Sequence, residues 1–433
     1  MSLSEVELAY FFPLFLAIYW LVPRRAAAQN AVLVAGGLFF YATWSARLLP
    51  LFLASSLADY AILRGFARTP LLPDDAPEAD RERAARRRRL LLGLGLLHNL
   101  GALFWFKYAG FFADAVNQAT GAHLTVLRLA LPLGLSFYTM GRVGVLIDTY
   151  YDRLPPVRSL LVWLSFVSFF PQLIAGPIGG GAELFRQYEE PRRPDPAAFG
   201  KALSELAAGF FLKIYVAAHA GSGLVDAVFA APGTYTRKAH LLAMVGYAAQ
   251  VFGDFAGYSL IALGLARLLG LALPDNFDFP YLSTSPPEVW RRWHMSLNRW
   301  LFDYLYGPMV TGRGFMRDRM ALGFVVVFLV SGLWHGAAFT FLLWGLLHGL
   351  WLALHHRYDE AYRSLCRKDR AWVKRRKSTA YALAGWHGPG RGGGVLVAAA
   401  PGLGRWHPDA PPALLPWPQP MVLDNHWVLV GES

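Results

Sequence analysis

The chain has 433 residues, 55% hydrophobic, 15% aromatic and only 16% charged, with a mean hydropathy of +0.33. That balance excludes an ordinary soluble domain and points to a polytopic membrane protein. The net charge of +12 does not indicate nucleic acid, because the basic residues gather in short loops between apolar runs, where membrane topology already requires them.

Apolar runs of about spanning length begin near residues 8, 30, 48, 90, 126, 159, 198 and 240, followed by a long run from about 320 to 356. Glu5 and Glu7 precede the first run and Arg24 and Arg25 follow it. This is the reverse of a cleaved signal peptide, so the run is expected to stay attached with its N-terminus outside. Alternate loops then put Arg24 and Arg25, the run Arg86 to Arg89, and Arg153 with Arg158 on the cytoplasmic side. Residues 69 to 89 are expected to form a mobile cytoplasmic loop that contacts anionic lipid. The alternation fails once: Arg186, Arg192, Arg193 and Lys201 make the next loop basic as well. Pro171, Gly176 and Pro177 break the run that starts at 159, so a re-entrant segment that returns to the cytoplasmic side restores the parity. Broken backbone at membrane depth needs protein or a wet cavity to satisfy it, and residues 171 to 181 are therefore expected to line a cavity. The alternative is an ordinary kinked span.

Between 285 and 308 the local signals are explicit. Ser285-Pro286-Pro287-Glu288 combines an N-cap Ser, Pro in the first turn and Glu at the third position, and Gly307-Pro308 supplies a stop. A helix of about five turns is predicted, with Trp290, Trp293, Leu297, Trp300, Leu301 and Tyr304 on one face and Arg292, Ser296, Arg299 and Asp303 on the other. Arg299 and Asp303 are spaced to pair. Such a helix lies in the interface plane, and physics alone reads it first as an aromatic and arginine belt, second as a catalytic element. His294 falls at the edge of the apolar face, an unusual place for a group that titrates near neutrality.

The run from 320 to 356 is nearly twice the length of one span, so two segments are expected, with a break near Gly336-Ala337-Ala338. It holds His335 and His348, which one continuous helix would rotate apart by about 220° and a break could bring closer. An ionisable group at such depth suggests function. For His335 the two readings are a neutral imidazole satisfied by a neighbouring carbonyl and a general base poised to take a proton from a hydroxyl. Cysteine occurs once, at Cys366, so no disulfide framework or Cys-based metal site can form within one chain, and the thiol reads as inert. No His-Glu-x-x-His spacing or ligand cluster implies a metal. From about 374 to 433 the chain turns rich in Gly and Pro, with scattered Trp and no spanning run; this atypical tail is read as unfolded or loosely attached and is expected to be disordered or truncated.

Five stretches, in order, resemble the alginate O-acetyltransferase branch of the membrane-bound O-acyltransferase (MBOAT) family, which also includes the D-alanyl transfer protein of teichoic acid modification. They are Leu131-Pro132-Leu133-Gly134-Leu135-Ser136-Phe137-Tyr138-Thr139; Phe169-Phe170-Pro171-Gln172-Leu173-Ile174-Ala175-Gly176-Pro177-Ile178; Asp254-Phe255-Ala256-Gly257-Tyr258-Ser259; Trp290-Arg291-Arg292-Trp293-His294-Met295-Ser296-Leu297; and Gly332-Leu333-Trp334-His335-Gly336-Ala337. The resemblance covers residues 90 to about 356. It departs from the family at Leu260, where an Asp is usual, and at Gly307-Pro308-Met309-Val310, where a Pro-Leu-Gly-Gly turn is usual.

The resemblance implies an all-α polytopic bundle over residues 1–373, with about nine spans, a re-entrant segment and an interfacial helix around a central cavity. It implies catalysis by His335 with His294, and it makes Trp290, Trp334, Asp254, Tyr258 and Gln172 candidates for lining the cavity or binding substrate. The implied activity is transfer of an acetyl group from a cytoplasmic thioester such as acetyl-CoA, with no bound cofactor and no metal. Acceptors would be hydroxyls of a cell-envelope or exported polysaccharide, with membrane lipid and a periplasmic acetyltransferase as partners, in the bacterial inner membrane. Rival classes are D-alanyl transfer, a transporter, which would be expected to show two related halves, and a non-catalytic scaffold.

Overall fold

The computed structural model of the protein describes residues 3, 6–126, 130–221 and 223–368, all helical or irregular, with no strand among them. The Gly/Pro-rich stretch at 374–433 and the side chain of Cys366 lie outside what is described. The chain forms two compact units, one up to Asn276 and one from Phe277. Among the described residues, five helical stretches are long and apolar enough to cross a membrane: 26–45, 49–67, 78–120, 196–221 and 237–268; 6–21 and 320–335 are shorter apolar helices.

The first unit opens with α1 (Val6–Leu21), α2 (Ala26–Ser45) and α3 (Leu49–Ala67). The connection of three residues after α2 makes α2 and α3 antiparallel neighbours, and Tyr41 stacks on Phe52 across the turn, ring centres 4.7 Å apart. α4 (Glu78–Leu103) runs through a π-helical stretch at Phe104–Tyr108 into α5 (Ala109–Thr120). Here the structure corrects the expected loop over 69 to 89, because α4 already begins at Glu78 and carries all four arginines. Glu78 and Asp80 favour the positive end of the helix. Buried Arg88 donates to the carbonyls of Thr69, Thr149 and Tyr150 at 2.7 to 2.9 Å, tying the helix to the loop after α3 and to the helix end at Thr149 and Tyr150.

The run expected from 126 is also corrected. α6 begins at Leu135 and ends at Tyr150, because Pro132 and Gly134, in the left-handed region at φ +67°, delay its start. A Cβ at Gly134 would overlap the carbonyl of Leu173, so both the backbone conformation and the close approach require glycine. The broken run follows as α7 (Leu160–Val167), α8 (Phe170–Leu173) and α9 (Gly181–Glu189). With 8 residues in α7, about 12 Å of helix, it cannot span a bilayer. The break is buried in protein: the ring of Phe170 meets Phe11, Phe12, Phe15 and Phe40.

The segment starts and finishes at one end of the unit. Before it, the carbonyl of Arg158 accepts from Tyr60 Oη (2.6 Å) and Arg64 (3.2 Å) in the last turns of α3. After it, Tyr188 and Arg192 bond to Asn30 and Gln29 in the first turn of α2 at 2.7 to 3.0 Å. In the antiparallel pair α2 and α3 these are the same end, and this is the backbone path of the re-entrant reading. α10 (Pro196–Phe210) then leads through a π stretch at Phe211–Ala217 into α11 (Ala218–Gly221), followed by α12 (Leu224–Ala230) and the 32-residue α13 (Arg237–Leu268). Arg267 clasps Glu205 with two bonds of 2.8 and 2.9 Å.

A polar knot sits inside this apolar unit. Arg142 and Asp59, both fully buried, pair at 3.5 Å; Asn99 donates to Asp59 at 2.7 Å, and Arg142 donates to Ser55 and Ser56 at 2.7 and 2.6 Å. The guanidinium lies over the Tyr138 ring at 4.3 Å, and the Trp163 indole donates to the Ser56 carbonyl at 2.7 Å. Buried charge is tolerated only when paired and hydrogen-bonded in this way, and the knot links α3, α4, α6 and α7.

The second unit comprises α14 (Pro286–Arg292), α15 (Met295–Leu301), a π stretch at Phe302–Tyr306, α16 (Gly307–Thr311), α17 (Met320–His335) and α18 (Phe339–Lys368). The expected two segments over 320 to 356 are present, parted at Gly336–Ala338. They pack as a tight antiparallel hairpin: a Cβ at Gly345 would overlap the Phe328 carbonyl, and one at Gly332 the Phe341 carbonyl. Small residues are what allow helix backbones to approach this closely in a membrane.

Candidate active site

The predicted five-turn helix over 285 to 306 is broken at its centre. Trp293 is extended and His294 is left-handed, with φ +44° and ψ +53°, a region His visits more readily than most residues. No Gly or Pro marks the break, so local sequence does not announce it; it is imposed by burial. Trp290 packs against Phe328 and Trp344, with ring centres 4.7 and 5.6 Å away, while Ser296, Leu297 and Leu301 are buried on the next helix. Ser296 is therefore not on the solvated stripe expected for it. His294 itself caps α15, its Nδ1 accepting from the Leu297 amide at 3.4 Å, which leaves the ring proton for Nε2.

The other end signals are corrected as well. Ser285 makes no side-chain cap; instead Glu288 accepts from the amide and hydroxyl of Thr284, each at 2.9 Å. Gly307-Pro308 opens α16 rather than ending the helix, since Pro is compatible with a first turn. Arg292 is held off the buried face by Glu288 at 2.9 Å and Asp278 at 3.6 Å.

The break turns the His294 ring toward the end of α17. His294 is buried, and its ring centre lies 6.5 Å from that of His335 and 6.1 Å from that of Trp334. Burial, reinforced by the neighbouring His335, holds His294 neutral well below its ordinary titration near 6.5. His335 is the last residue of α17 and is half-buried, so it keeps access that His294 lacks. Its ring meets Trp334 at 5.0 Å and Trp344 at 5.3 Å. Trp344 in turn touches fully buried His348 at 4.8 Å, and His348 meets Trp290 at 5.0 Å. The break between α17 and α18 thus brings His335 and His348 into contact with one indole. Sequence reasoning missed Trp344, although it stands four residues before His348, the spacing that puts two side chains on one helical face.

The remaining candidates lie in the first unit. Asp254 pairs with Lys213 at 2.5 Å, and Lys213 lies 5.9 Å from the centre of the Tyr258 ring, one turn along α13. Lys213 comes from the π stretch at 211–217, a feature that sequence periodicity does not reveal. Gln172 lines a cavity between α6 and the broken segment. Trp290, Trp334, His294 and His335 therefore form one cluster in the second unit, while in the first Asp254 and Tyr258 stand on α13, Tyr258 sharing a core with Leu173 and Ile174, which follow Gln172 in sequence. Among the described residues no three His, Cys, Asp or Glu side chains are grouped to hold a metal.

A neutral, buried imidazole beside an accessible one, walled by indoles, suits proton transfer from a hydroxyl. The sequence from 149 to 390 matches the model of the membrane-bound O-acyltransferase family. The chain belongs to that family. As a member it is 35% identical over 378 residues to a probable alginate O-acetylase of Azotobacter vinelandii, covering 86% of this chain and 71% of that protein. It is 36% identical over 355 residues to the corresponding Pseudomonas aeruginosa protein, covering 81% and 65%. A peptidoglycan O-acetyltransferase of Helicobacter pylori is 32% identical over 371 residues, covering 78% and 67%. A teichoic acid D-alanyltransferase of Bacillus subtilis is more distant, at 27% over 238 residues, 53% of this chain and 60% of that protein. The chain thus spans about two thirds of the length of the alginate O-acetylases it matches.

Proposed function

We propose that this membrane-bound O-acyltransferase transfers acetyl groups from a thioester such as acetyl-CoA to hydroxyls of a cell-envelope or exported polysaccharide of the alginate type. The observation that carries this reading is the pair His294 and His335, one buried and neutral, the other half-buried at the end of a helix, with ring centres 6.5 Å apart. His335 accepts the hydroxyl proton as the acceptor oxygen attacks the thioester carbonyl. The C–S bond breaks as the tetrahedral intermediate collapses, and the leaving thiolate takes the proton back from the imidazolium. His294 positions the reacting groups, and the indoles of Trp290, Trp334 and Trp344 exclude water around them. The donor arrives from the cytoplasm and the product leaves on the outer side of the bacterial inner membrane, where a periplasmic acetyltransferase is the natural partner. The higher identity to O-acetylases than to the D-alanyltransferases favours acetyl over D-alanyl.

His335→Ala should abolish envelope O-acetylation while the protein remains inserted and abundant, with the removal of a general base costing about two to four orders of magnitude in rate. Acetyl ester content and membrane immunoblots from the same cells measure this. Undiminished acetylation in that variant would exclude His335 as the base.

A further inference from the structure

The break between α14 and α15 removes helical hydrogen bonds, and the groups that replace them show what holds it. The last bond of α14 runs from the Trp293 amide to the Val289 carbonyl at 2.8 Å. In a continuous helix the next carbonyl, that of buried Trp290, would take the amide of residue 294. It accepts from the side-chain Nδ2 of Asn298 instead. The carbonyl of Arg292 accepts from the Asp278 amide at 3.0 Å, which ties the end of α14 to the preceding loop. The backbone amide of Asn298 meanwhile donates to the His294 carbonyl, also at 3.0 Å. One residue therefore bonds to both sides of the break. Its backbone reaches His294, and its side chain reaches Trp290, whose ring is set against Phe328, Trp344 and His348 of the hairpin.

We infer that Asn298 is a positioning residue for acyl transfer: its carboxamide supplies the donor that the bend takes from Trp290, and so holds the His294 ring toward His335. The bend has a competitor in the same sequence. Trp290, Trp293, Leu297, Trp300, Leu301 and Tyr304 fall on one face of a straight helix, in which the Trp290 carbonyl recovers its ordinary partner. Straightening also returns His294 from φ +44° to the right-handed region that L-residues favour. With Asn298 in place, the bent chain leaves no bare carbonyl at Trp290. Without that donor the bent chain alone carries an unsatisfied buried carbonyl, and the balance moves toward the straight form. The carboxamide acts on the backbone and not on the substrate, so its loss lowers turnover through His294. This inference rests on the roles of His294 and His335 proposed above and adds the residue that aligns them.

The test compares Asn298→Ser with Asn298→Ala in the full-length protein in detergent, two variants that differ by one hydroxyl donor. One readout is the rate at which diethyl pyrocarbonate modifies His294 and His335, mapped by peptide mass spectrometry. The other is kcat and KM for transfer from acetyl-CoA to an alginate oligosaccharide. In the wild type, half-buried His335 should be modified faster than buried His294. Asn298→Ala should raise the rate at His294 by about tenfold, the population shift that loss of one buried hydrogen bond produces. It should also lower kcat by about tenfold or more with KM unchanged, as misalignment of a reacting group does. Asn298→Ser should restore most of both. Asn298→Asp, which keeps the side-chain size and removes the donor, takes the place of Asn298→Ala if a thermal melt shows that variant unfolded. Unchanged modification of His294 in a folded variant without the donor overturns the inference, and so does equal loss of turnover in the Ser and Ala variants. His335→Ala separates the two readings: if it transfers acetyl normally, the proposed chemistry falls, while the role of Asn298 in the bend is still decided by the modification rates.

Discussion

His294 combines a left-handed backbone, a helix cap and a buried ring in one residue, and each can be separated by substitution. His294→Ala removes the cap and leaves a Cβ residue at φ +44°, which together should cost about 1–3 kcal/mol. Asn tolerates the left-handed region and can still cap, so His294→Asn should melt close to wild type while acyl transfer falls. Similar melting of the two variants in detergent would contradict this account. The ring also sets a pH dependence. Folded His294 takes up a proton less readily than the unfolded chain, so below about 6.5 the unfolded state binds more protons and stability drops. Stability should be full above that value and decline as the pH falls toward the lower folded-state value, and His294→Asn should flatten that decline in melts between neutral and acid pH. His294 and His335 were legible as candidates through the resemblance that the motifs around them carry, and His335 also because it and His348 interrupt an apolar run. The pair Asp59 and Arg142 was not, because its members are remote in sequence and only the packed helices bring them together.

At the scale of the element, the hairpin of α17 and α18 carries the chemistry by its closeness. Gly345 lies against the backbone of Phe328, and Trp344, beside it, touches both His335 and His348. Gly345→Leu should force the helices apart, disrupting the indole contact and reducing acyl transfer strongly, whereas Leu347→Ala, on the exposed face of α18, should change little. Overpacking of this kind costs about 1–3 kcal/mol or more, which a thermal melt would show, and equal melting and activity of the two variants would rule out the close-packing argument. Length alone revealed this hairpin, since the apolar run exceeds one span. Periodicity misjudged α14 and α15, where burial of Trp290 and Leu297 on separate helices overrode a pattern that fits one straight helix. The same limit applied at α4: a run of arginines reads as a solvated loop until the three carbonyls that Arg88 serves are seen.

At the scale of the whole molecule, topology follows from which loops share an end. The basic loops were legible from charge alternation, and the single failure of that alternation forced a re-entrant segment between Arg158 and Arg186. The hydrogen bonds supply what charge could not. Arg158 is tied to the end of α3, and Arg192 to the start of α2, so the chain before and after the broken helices meets one face of an antiparallel pair. From there α10 and α13, joined by Arg267 and Glu205, run away from and back to that face, leaving Gly233 at the far side. Reporter tags at Arg153 and near Arg193 should therefore both read the cytoplasm, and a tag near Gly233 the outer side, as expected for loops that the insertion machinery retains by their charge. Opposite readings at Arg153 and Arg193 would require a full crossing by a segment whose helices, α7 with 8 residues and α8 with 4, are too short for it. That result would overturn the shared-end geometry of the broken segment.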